Sequence, residues 1–177
     1  DLNGRSGLYY DSINTIFSNG FALSGLINDV PWSASMMSAS RIADCVAGPL
    51  GSPVIDPKNG IYRVAMQDSA FGASWELWKY AVMTGARYWD GNHNGIYDPI
   101  DLNHNGIWDP TEDMPEILGE ISYYCVYNDG MPTELRRFQE VPVGIEVRQT
   151  IYAYPNSAVE AMKDAVFIRY EIVNKGN

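Results

Sequence analysis

The chain has 177 residues, of which 46% are hydrophobic and 12% aromatic, and it carries 22 acidic against 12 basic side chains. This length and composition predict one globular domain, residues 1–177, that buries roughly 70% of its unfolded surface. The net charge of −10 and the lack of a basic cluster argue against a nucleic-acid partner. No apolar run approaches the ~20 residues of a membrane-spanning helix, so no membrane span is predicted.

Strand patterns dominate the chain. Short strands are predicted at residues 20–27 and 60–66. A helix is predicted at residues 74–83, where the spacing of four side chains indicates one buried stripe. These side chains are Trp75, Leu77, Trp78 and Val82.

Three longer strands are predicted at residues 120–127, 141–153 and 165–173, each with apolar side chains at alternate positions. Such alternation is typical of an antiparallel sheet with one buried face. The predicted fold is therefore mainly β, an antiparallel β-sandwich-like domain with one short helix. The side chains expected on the buried face are Ile121, Tyr123, Cys125, Tyr127, Val143, Ile145, Val147, Ile151, Val166, Ile168, Tyr170 and Ile172.

Residues 90–113, between the helix and the long strands, repeat the pattern Asp-x-Asn-x-Asn-Gly-x-x-Asp-Pro at a period of 11 residues. Oxygen-bearing side chains at alternate positions, followed by glycine, are how a loop wraps a hard cation such as Ca²⁺. We therefore predict an inserted pair of tandem calcium-binding loops. The first loop would use Asp90, Asn92, Asn94, the Ile96 carbonyl, Asp98 and Asp101. The second would use Asp101, Asn103, Asn105, the Ile107 carbonyl, Asp109 and Glu112, which Asp113 could replace or join.

Asp101 ends one predicted loop and begins the next, so the pattern leaves open whether one or two ions bind. Gly95 and Gly106 suit a turn in which a Cβ would be penalised. At position 8 of each loop, Tyr97 and Trp108 are expected to turn inward and anchor it. Proline follows each ninth position and argues against a flanking helix. The pattern thus predicts helix-free loops, similar to those in dockerin and thrombospondin-type repeats, that act as structural clamps.

The charge distribution agrees with a cation site. Residues 88–135 contain ten acids and no Lys or Arg, whereas the remaining residues hold 12 acids and 12 bases. Crowded carboxylates repel one another unless a cation neutralises them. All of the net charge therefore lies around the predicted loops.

The two cysteines, Cys45 and Cys125, are far apart in sequence and leave two alternatives open. In an oxidising compartment they could form a disulfide, and in a reducing one Cys125 would be a core residue.

Catalytic patterns are sparse, and we expect no enzyme. His93 and His104 both occupy position 4 of a loop, where a side chain points away from the ion. Zinc-binding and phosphate-binding motifs are absent from the sequence. A carboxylate pair for glycoside hydrolysis stays open as an alternative, because acids are plentiful.

A carbohydrate-binding module is a second alternative, since aromatic side chains stack on sugars. The candidates are Tyr9, Tyr10, Trp32, Trp75, Trp78 and Trp89.

Four segments carry a resemblance to a known family: NGRSGLYY at residues 3–10, SYYCVYND at 122–129, VPVGIEVRQTIYAY at 141–154 and VFIRYEIVNKG at 166–176. They resemble uncharacterised secreted proteins of Bacteroidota and related phyla that carry a C-terminal sorting domain for type IX secretion. Members often show an acidic, Asn-rich segment before the strand equivalent to residues 120–127, and residues 90–101 are similar to it. The resemblance implies export and a surface or extracellular role, with this chain as a fragment of a longer protein.

Together these observations predict a calcium-stabilised extracellular module that takes part in a surface layer, filament or matrix. The expected partners are copies of the chain or other surface proteins, with glycans as an alternative. A strand series left open at residues 166–177 would allow neighbouring copies to assemble by strand addition.

Overall fold

The computed structural model describes residues 20–35, 44–53, 56–136 and 140–176 in full, and the backbone alone of residues 8–10 and 13–16. The fold is mainly β, with 33% strand and 12% helix. Its sheets are antiparallel, which is consistent with a β-sandwich-like fold and confirms the predicted fold class.

The strands pair into one larger sheet and three two-stranded ones. The larger sheet has the order β11-β10-β9-β5, with β6 also paired to β9, and the smaller sheets are β1-β2, β3-β4 and β7-β8. The strands are β1 (Leu8–Tyr10), β2 (Ile13–Ile16), β3 (Ala22–Ile27), β4 (Val30–Ser35), β5 (Val46–Ala47), β6 (Tyr62–Ala65), β7 (Tyr88–Trp89), β8 (Met114–Pro115), β9 (Ile121–Asn128), β10 (Ile145–Ala153) and β11 (Val166–Asn174). The helices are α1 (Ala73–Met83) and the single turn α2 (Glu160–Lys163), and residues Thr133–Leu135 form a 3-10 turn.

The chain divides into two compact units. The first comprises residues 1–54, 127–146 and 174–177, and the second comprises residues 55–126 and 147–173. The single domain predicted over residues 1–177 stays a prediction.

Buried polar groups organise the first unit. The Asp129 carboxylate accepts hydrogen bonds from the backbone N–H groups of residues 143, 144 and 145. The Arg136 guanidinium donates to the carbonyls of Asp44, Asp129 and Ser33. Because buried polar groups are costly unless they are hydrogen-bonded, this network holds separate segments of the unit together. It also explains why β10 begins at Ile145, four residues later than predicted.

Helix α1 packs against the sheet in the second unit. Trp78 is 2% exposed, and its ring meets that of Tyr124 edge-on with centroids 6.0 Å apart. The indole nitrogen of Trp78 donates to the Arg87 carbonyl. The buried core around this contact comprises Val64, Trp78, Ala81, Ala86, Tyr97, Tyr124 and Val126.

The predicted buried face of the long strands is wrong for much of its length. On β9 the side chains of Ser122, Tyr124 and Val126 are buried, because α1 covers that face, whereas Tyr123 is exposed. On β11 the apolar side chains of Val166, Ile168 and Ile172 are exposed. Tyr127 and Val147, also expected inside, are buried. The alternation of apolar side chains correctly indicated strands. Because both faces of β9 carry large side chains, the alternation did not identify which face is covered.

The buried stripe of α1 also differs from the prediction at one position. Trp75, Trp78 and Ala81 are buried, while Leu77 is 55% exposed. Leu77 lies one residue from Trp78, and adjacent helical residues do not share a face. The leucine therefore cannot join a stripe that the two tryptophans define.

Neither cysteine is in a disulfide. Cys45 and Cys125 are both free and half-buried. Burial raises the pKa of the Cys45 thiol to about 12 and also raises the pKa of Cys125. Both groups are therefore protonated and poorly nucleophilic near neutral pH.

No helix in the described parts of the chain is long and apolar enough to cross a membrane.

Replacing Trp78 by Ala should lower the free energy of unfolding by about 3–5 kcal/mol, because it removes the side chain that joins α1 to β9. Leu77→Ala is the matched control on the same helix, with an expected change of about 0.5 kcal/mol or less. Urea unfolding followed by circular dichroism measures both. Equal losses in the two variants would contradict the packing described for α1.

Candidate functional site: the tandem loops

A two-stranded ladder closes the base of the loop segment. Strands β7 and β8 pair antiparallel, with Tyr88 opposite Pro115 and Trp89 opposite Met114. The indole nitrogen of Trp89 donates to the Pro110 carbonyl at 3.0 Å. Residues 90–113 therefore begin and end side by side within the second unit.

Both loops are built on the same aspartate turn. In the first loop, Asp90 Oδ1 accepts the N–H of Asn94 at 3.1 Å, and Asp90 Oδ2 accepts the N–H of Gly95 at 2.9 Å. The short carboxylate side chain thereby folds the backbone back on itself. The second loop repeats both contacts 11 residues later, with Asp101, Asn105 and Gly106.

The asparagines continue the same pattern. Asn92 Oδ1 accepts the N–H of Asn94, and Asn94 Oδ1 accepts the N–H of Ile96 at 2.7 Å. These side-chain oxygens are therefore held close to the loop backbone. Asn103, Asn105 and Ile107 repeat the arrangement in the second loop.

Each loop contains two residues with left-handed backbone conformation. Gly95 and Gly106 both have φ of 75°, the region in which a Cβ is penalised, as the sequence pattern predicts. His93 and His104 have φ of 58° and 59°. A non-glycine residue in this region is uncommon and carries some strain. The two histidines are exposed and match in conformation because they hold the same place in the repeat.

Glu112 terminates the second loop and is only 1% exposed. Its Oε1 accepts the N–H of Leu102 at 2.7 Å, and its Oε2 accepts the N–H of Asp109 at 3.1 Å. A buried carboxylate thus joins position 2 of the loop to position 9.

Asp113 makes the same two connections in the first loop. It is also 1% exposed. Its Oδ1 accepts the N–H of Gly91 at 3.0 Å, and its Oδ2 accepts the N–H of Asp98 at 2.7 Å. Gly91 is required at this crossing, because a Cβ there would lie 2.4 Å from the Glu112 carbonyl oxygen.

These contacts give each loop its own closing acid. The sequence pattern places Asp101 at the end of the first loop and at the start of the second, and its carboxylate accepts the N–H groups of Asn105 and Gly106 in the second. Asp113, 23 residues after Asp90, closes the first loop through hydrogen bonds to its backbone. Counting ligand positions along a single loop could not predict this contact, because Asp113 lies beyond the second loop in sequence. The one signal in the sequence was the adjacent pair of acids, Glu112 and Asp113, after the two repeats. Two acids in that place would allow one for each loop.

An aromatic side chain stands at position 8 of each loop. Tyr97 is buried, and its hydroxyl donates to the Trp75 carbonyl of α1 at 3.1 Å. Trp108 is half-buried, and its indole nitrogen donates to the Glu112 carbonyl at 2.9 Å. Tyr97 therefore turns inward and anchors the first loop to α1, as predicted, whereas the bond of Trp108 lies within the second loop.

Little positive charge offsets the loop acids. Among the described residues, Lys79 is the cation recorded in an ion pair with a loop acid, its Nζ lying 3.4 Å from Asp98 Oδ1. Lys79 also contacts Glu76 at 2.9 Å, so its charge is shared. Hydrogen bonds from Thr111 lower the pKa of Asp109. Each loop thus keeps an excess of carboxylate charge.

The donor set suits a hard cation, although no cluster of acids is preassembled. Within the described residues, no group of three or more His, Cys, Asp or Glu side chains is arranged so that it could hold a metal ion. The predicted ligand sets, however, also use Asn side chains and a backbone carbonyl, and every donor is oxygen. A carboxylate offers about four lone-pair sites, and Asp90 and Asp101 each use two of them for backbone N–H groups.

Of the six aromatic side chains considered as a sugar platform, three are buried and so are not free to stack. Trp32, Trp75 and Trp78 are buried, while Trp89 is exposed. The side chains of Tyr9 and Tyr10 lie outside the described residues. The buried tryptophans act as core and anchoring residues in their units.

Comparisons with known proteins assign no family: no family model, no curated protein and no solved structure matches the chain. The resemblance to secreted proteins therefore stays a prediction from the sequence. The chemistry of the loops is the main basis for a functional proposal.

Replacing Asp113 by Ala should loosen the first loop alone, because the amides of Gly91 and Asp98 lose their buried acceptor. The expected cost is about 1–3 kcal/mol of local or global stability. Amide hydrogen exchange followed by NMR should show faster exchange at these two amides.

Glu112→Ala is the matched control in the second loop. It should speed exchange at the amides of Leu102 and Asp109 and leave those of the first loop unchanged. If each variant disturbed both loops equally, the division of acids between the loops would be wrong.

Proposed function

We propose that this protein is an extracellular structural module whose tandem loops bind Ca²⁺. The observation that carries the proposal is the duplicated oxygen-rich turn, repeated in sequence, hydrogen bonding and backbone angles. Hydrogen bonding within a polar turn can explain one such loop. Two copies, each closed by its own buried carboxylate, are better explained by a common ligand.

The proposed sites are one per loop. The first would be held by Asp90, Asn92, Asn94, the Ile96 carbonyl, Asp98 and Asp113. The second would be held by Asp101, Asn103, Asn105, the Ile107 carbonyl, Asp109 and Glu112. When bound, Ca²⁺ supplies positive charge that offsets the repulsion among three carboxylates in each set. The protein residues orient the oxygen donors and hold the turn.

The surroundings of the loops favour a structural role over a sensing one. A sensor needs an element with two arrangements whose balance the ion shifts. These loops instead lie between paired strands β7 and β8 and are tied to α1 through Tyr97. Ion binding would therefore stabilise one arrangement of the second unit.

The expected affinity and the sequence resemblance support an extracellular location. Helix-free loops of this kind belong with modules whose dissociation constants are roughly 10⁻⁴–10⁻³ M. Such sites fill where Ca²⁺ is millimolar, as it is outside cells. The resemblance to secreted Bacteroidota proteins implies the same compartment. We infer a role in a surface layer, filament or matrix, with no catalytic step.

The test is a thermal melt in millimolar Ca²⁺ and in EDTA, combined with calorimetric titration. At ten times the dissociation constant, two sites would together add about 2.8 kcal/mol to the free energy of unfolding. For a chain of this size, that corresponds to a rise in Tm of roughly 5–10 °C. A titration that fits two sites would support one ion per loop.

Charge-neutralising variants locate the binding. Asp90→Asn and Asp101→Asn should each remove one site, and the double variant should remove both the heat and the Tm shift. Asp56→Asn is the matched control, since Asp56 lies in another loop and its carboxylate accepts the Lys58 amide. An unchanged Tm together with no binding heat in the unmodified protein would overturn the proposal.

A further inference from the structure

In the described part of the chain, strand β11 is a long strand at one edge of the larger sheet. It runs from Val166 to Asn174, and among the described residues it pairs with β10 alone. An edge strand presents backbone N–H and C=O groups that can accept another strand. Short length, proline or lysine commonly blocks such pairing. The nine residues VFIRYEIVN contain no Pro, Gly or Lys.

The apolar side chains of β11 also lack cover. Val166, Ile168 and Ile172 share one face and are 58%, 37% and 50% exposed. Burying such side chains against like neighbours is favourable, at roughly 25 cal/mol per Å² of apolar surface. A strand added beside β11 would shield these side chains in part.

The order of charges along β11 suits a second copy of the same strand. If two copies run antiparallel with Tyr170 opposite Tyr170, Arg169 of one copy lies opposite Glu171 of the other. The same register sets Ile168 opposite Ile172. Directly opposed side chains of opposite charge, or of apolar type, stabilise a strand pair. A two-fold axis repeats each of these contacts.

Other registers lose this complementarity. A shift by two residues sets Arg169 opposite Arg169, or Glu171 opposite Glu171, and like charges directly opposite are destabilising. A shift by one residue moves every side chain of one strand to the other face. A parallel in-register pair also opposes like charges. The charge pattern therefore selects the antiparallel register centred on Tyr170.

Within one chain, these two charges remain partly exposed in an ion-pair network. Arg169 contacts Glu116 and lies 3.7 Å from Glu171, which in turn lies 2.7 Å from Arg87. The Nε atom of Arg169 and the Oε1 atom of Glu171 are buried, and neither makes a hydrogen bond of good geometry. The two side chains as a whole are each about one-quarter exposed, so a second strand could contact their exposed atoms.

We propose that β11 pairs antiparallel with β11 of a second copy of this chain, centred on Tyr170. The pairing names the partner in the assembly role proposed above and rests on that role. It uses no residue of the loops, so the two proposals can fail separately.

The test is sedimentation velocity of the unmodified chain over a concentration series, in Ca²⁺ and in EDTA. The expected result is a monomer–dimer equilibrium. Arg169→Glu and Glu171→Arg should each weaken the dimer by at least about tenfold, since two symmetry-related pairs become repulsive. An equimolar mixture of the two variants should regain the dimer, because its pairs are again of opposite charge.

Arg63→Glu, on β6 of the same sheet, is the matched charge-reversal control and should dimerise like the unmodified chain. A chain that stays monomeric at its highest soluble concentration would overturn the pairing, as would dimers unaffected by either single variant. A calcium-induced Tm rise in a monomeric chain would overturn the pairing and leave the loop proposal standing. Dimers formed by a chain that shows no calcium effect would overturn the loop proposal and leave the pairing standing.

Cysteine cross-linking tests the register of the pairing even if a charge variant fails to fold. Ile168→Cys mixed with Ile172→Cys should give a disulfide-linked dimer under oxidised glutathione, since the two positions oppose each other. Each variant alone should give far less. Cys45 and Cys125 are half-buried with raised pKa values, so they react slowly. Equal cross-linking in the single-variant samples would contradict the register.

Discussion

The packing of α1 on β9 decides most of what the second unit presents to its surroundings. Trp78 and Tyr124 meet in its core, so the face of β9 that carries Tyr124 is the covered one. The opposite face, which includes Tyr123, stays partly exposed. The same helix receives the hydroxyl of Tyr97 and thereby holds the first loop. One helix thus covers one face of β9 and holds the first loop in place.

Buried carboxylates link the two loops to each other. Glu112 and Asp113 are adjacent, yet each bonds to backbone amides of a different loop. A buried charge is costly unless it is well paired, and here hydrogen bonds from amides offset part of that cost. A cation in each loop would offset more of it. This balance connects the shape of the loops with the function that we propose for them.

The proposed calcium sites and the proposed strand pairing lie at different places in the second unit and suit one purpose. Loops that stiffen one end of a unit and an edge that accepts a second copy are both properties of an assembling structural protein. Neither requires a catalytic group, and both use ordinary backbone and side-chain chemistry. Strand addition, which the sequence led us to expect, would take place at the β11 edge of the sheet.

Local patterns in the sequence did not predict β1, β2, β4, β5, β7 or β8. They did predict strands that overlap β3, β6, β9, β10 and β11, the place of α1 and the residues that turn the loops. These features depend on side-chain alternation, helical spacing and short Asp, Asn and Gly patterns, and all of them act between near neighbours. Three features depended on tertiary structure: the covered face of the sheet, the contact of Asp113 with the first loop, and the late start of β10. Each is set by a group distant in sequence, namely α1 for the sheet, Asp113 for a loop that begins at Asp90, and Asp129 for residues 143–145. Local spacing carries no information about such contacts, because they form only when the folded chain brings separate segments together.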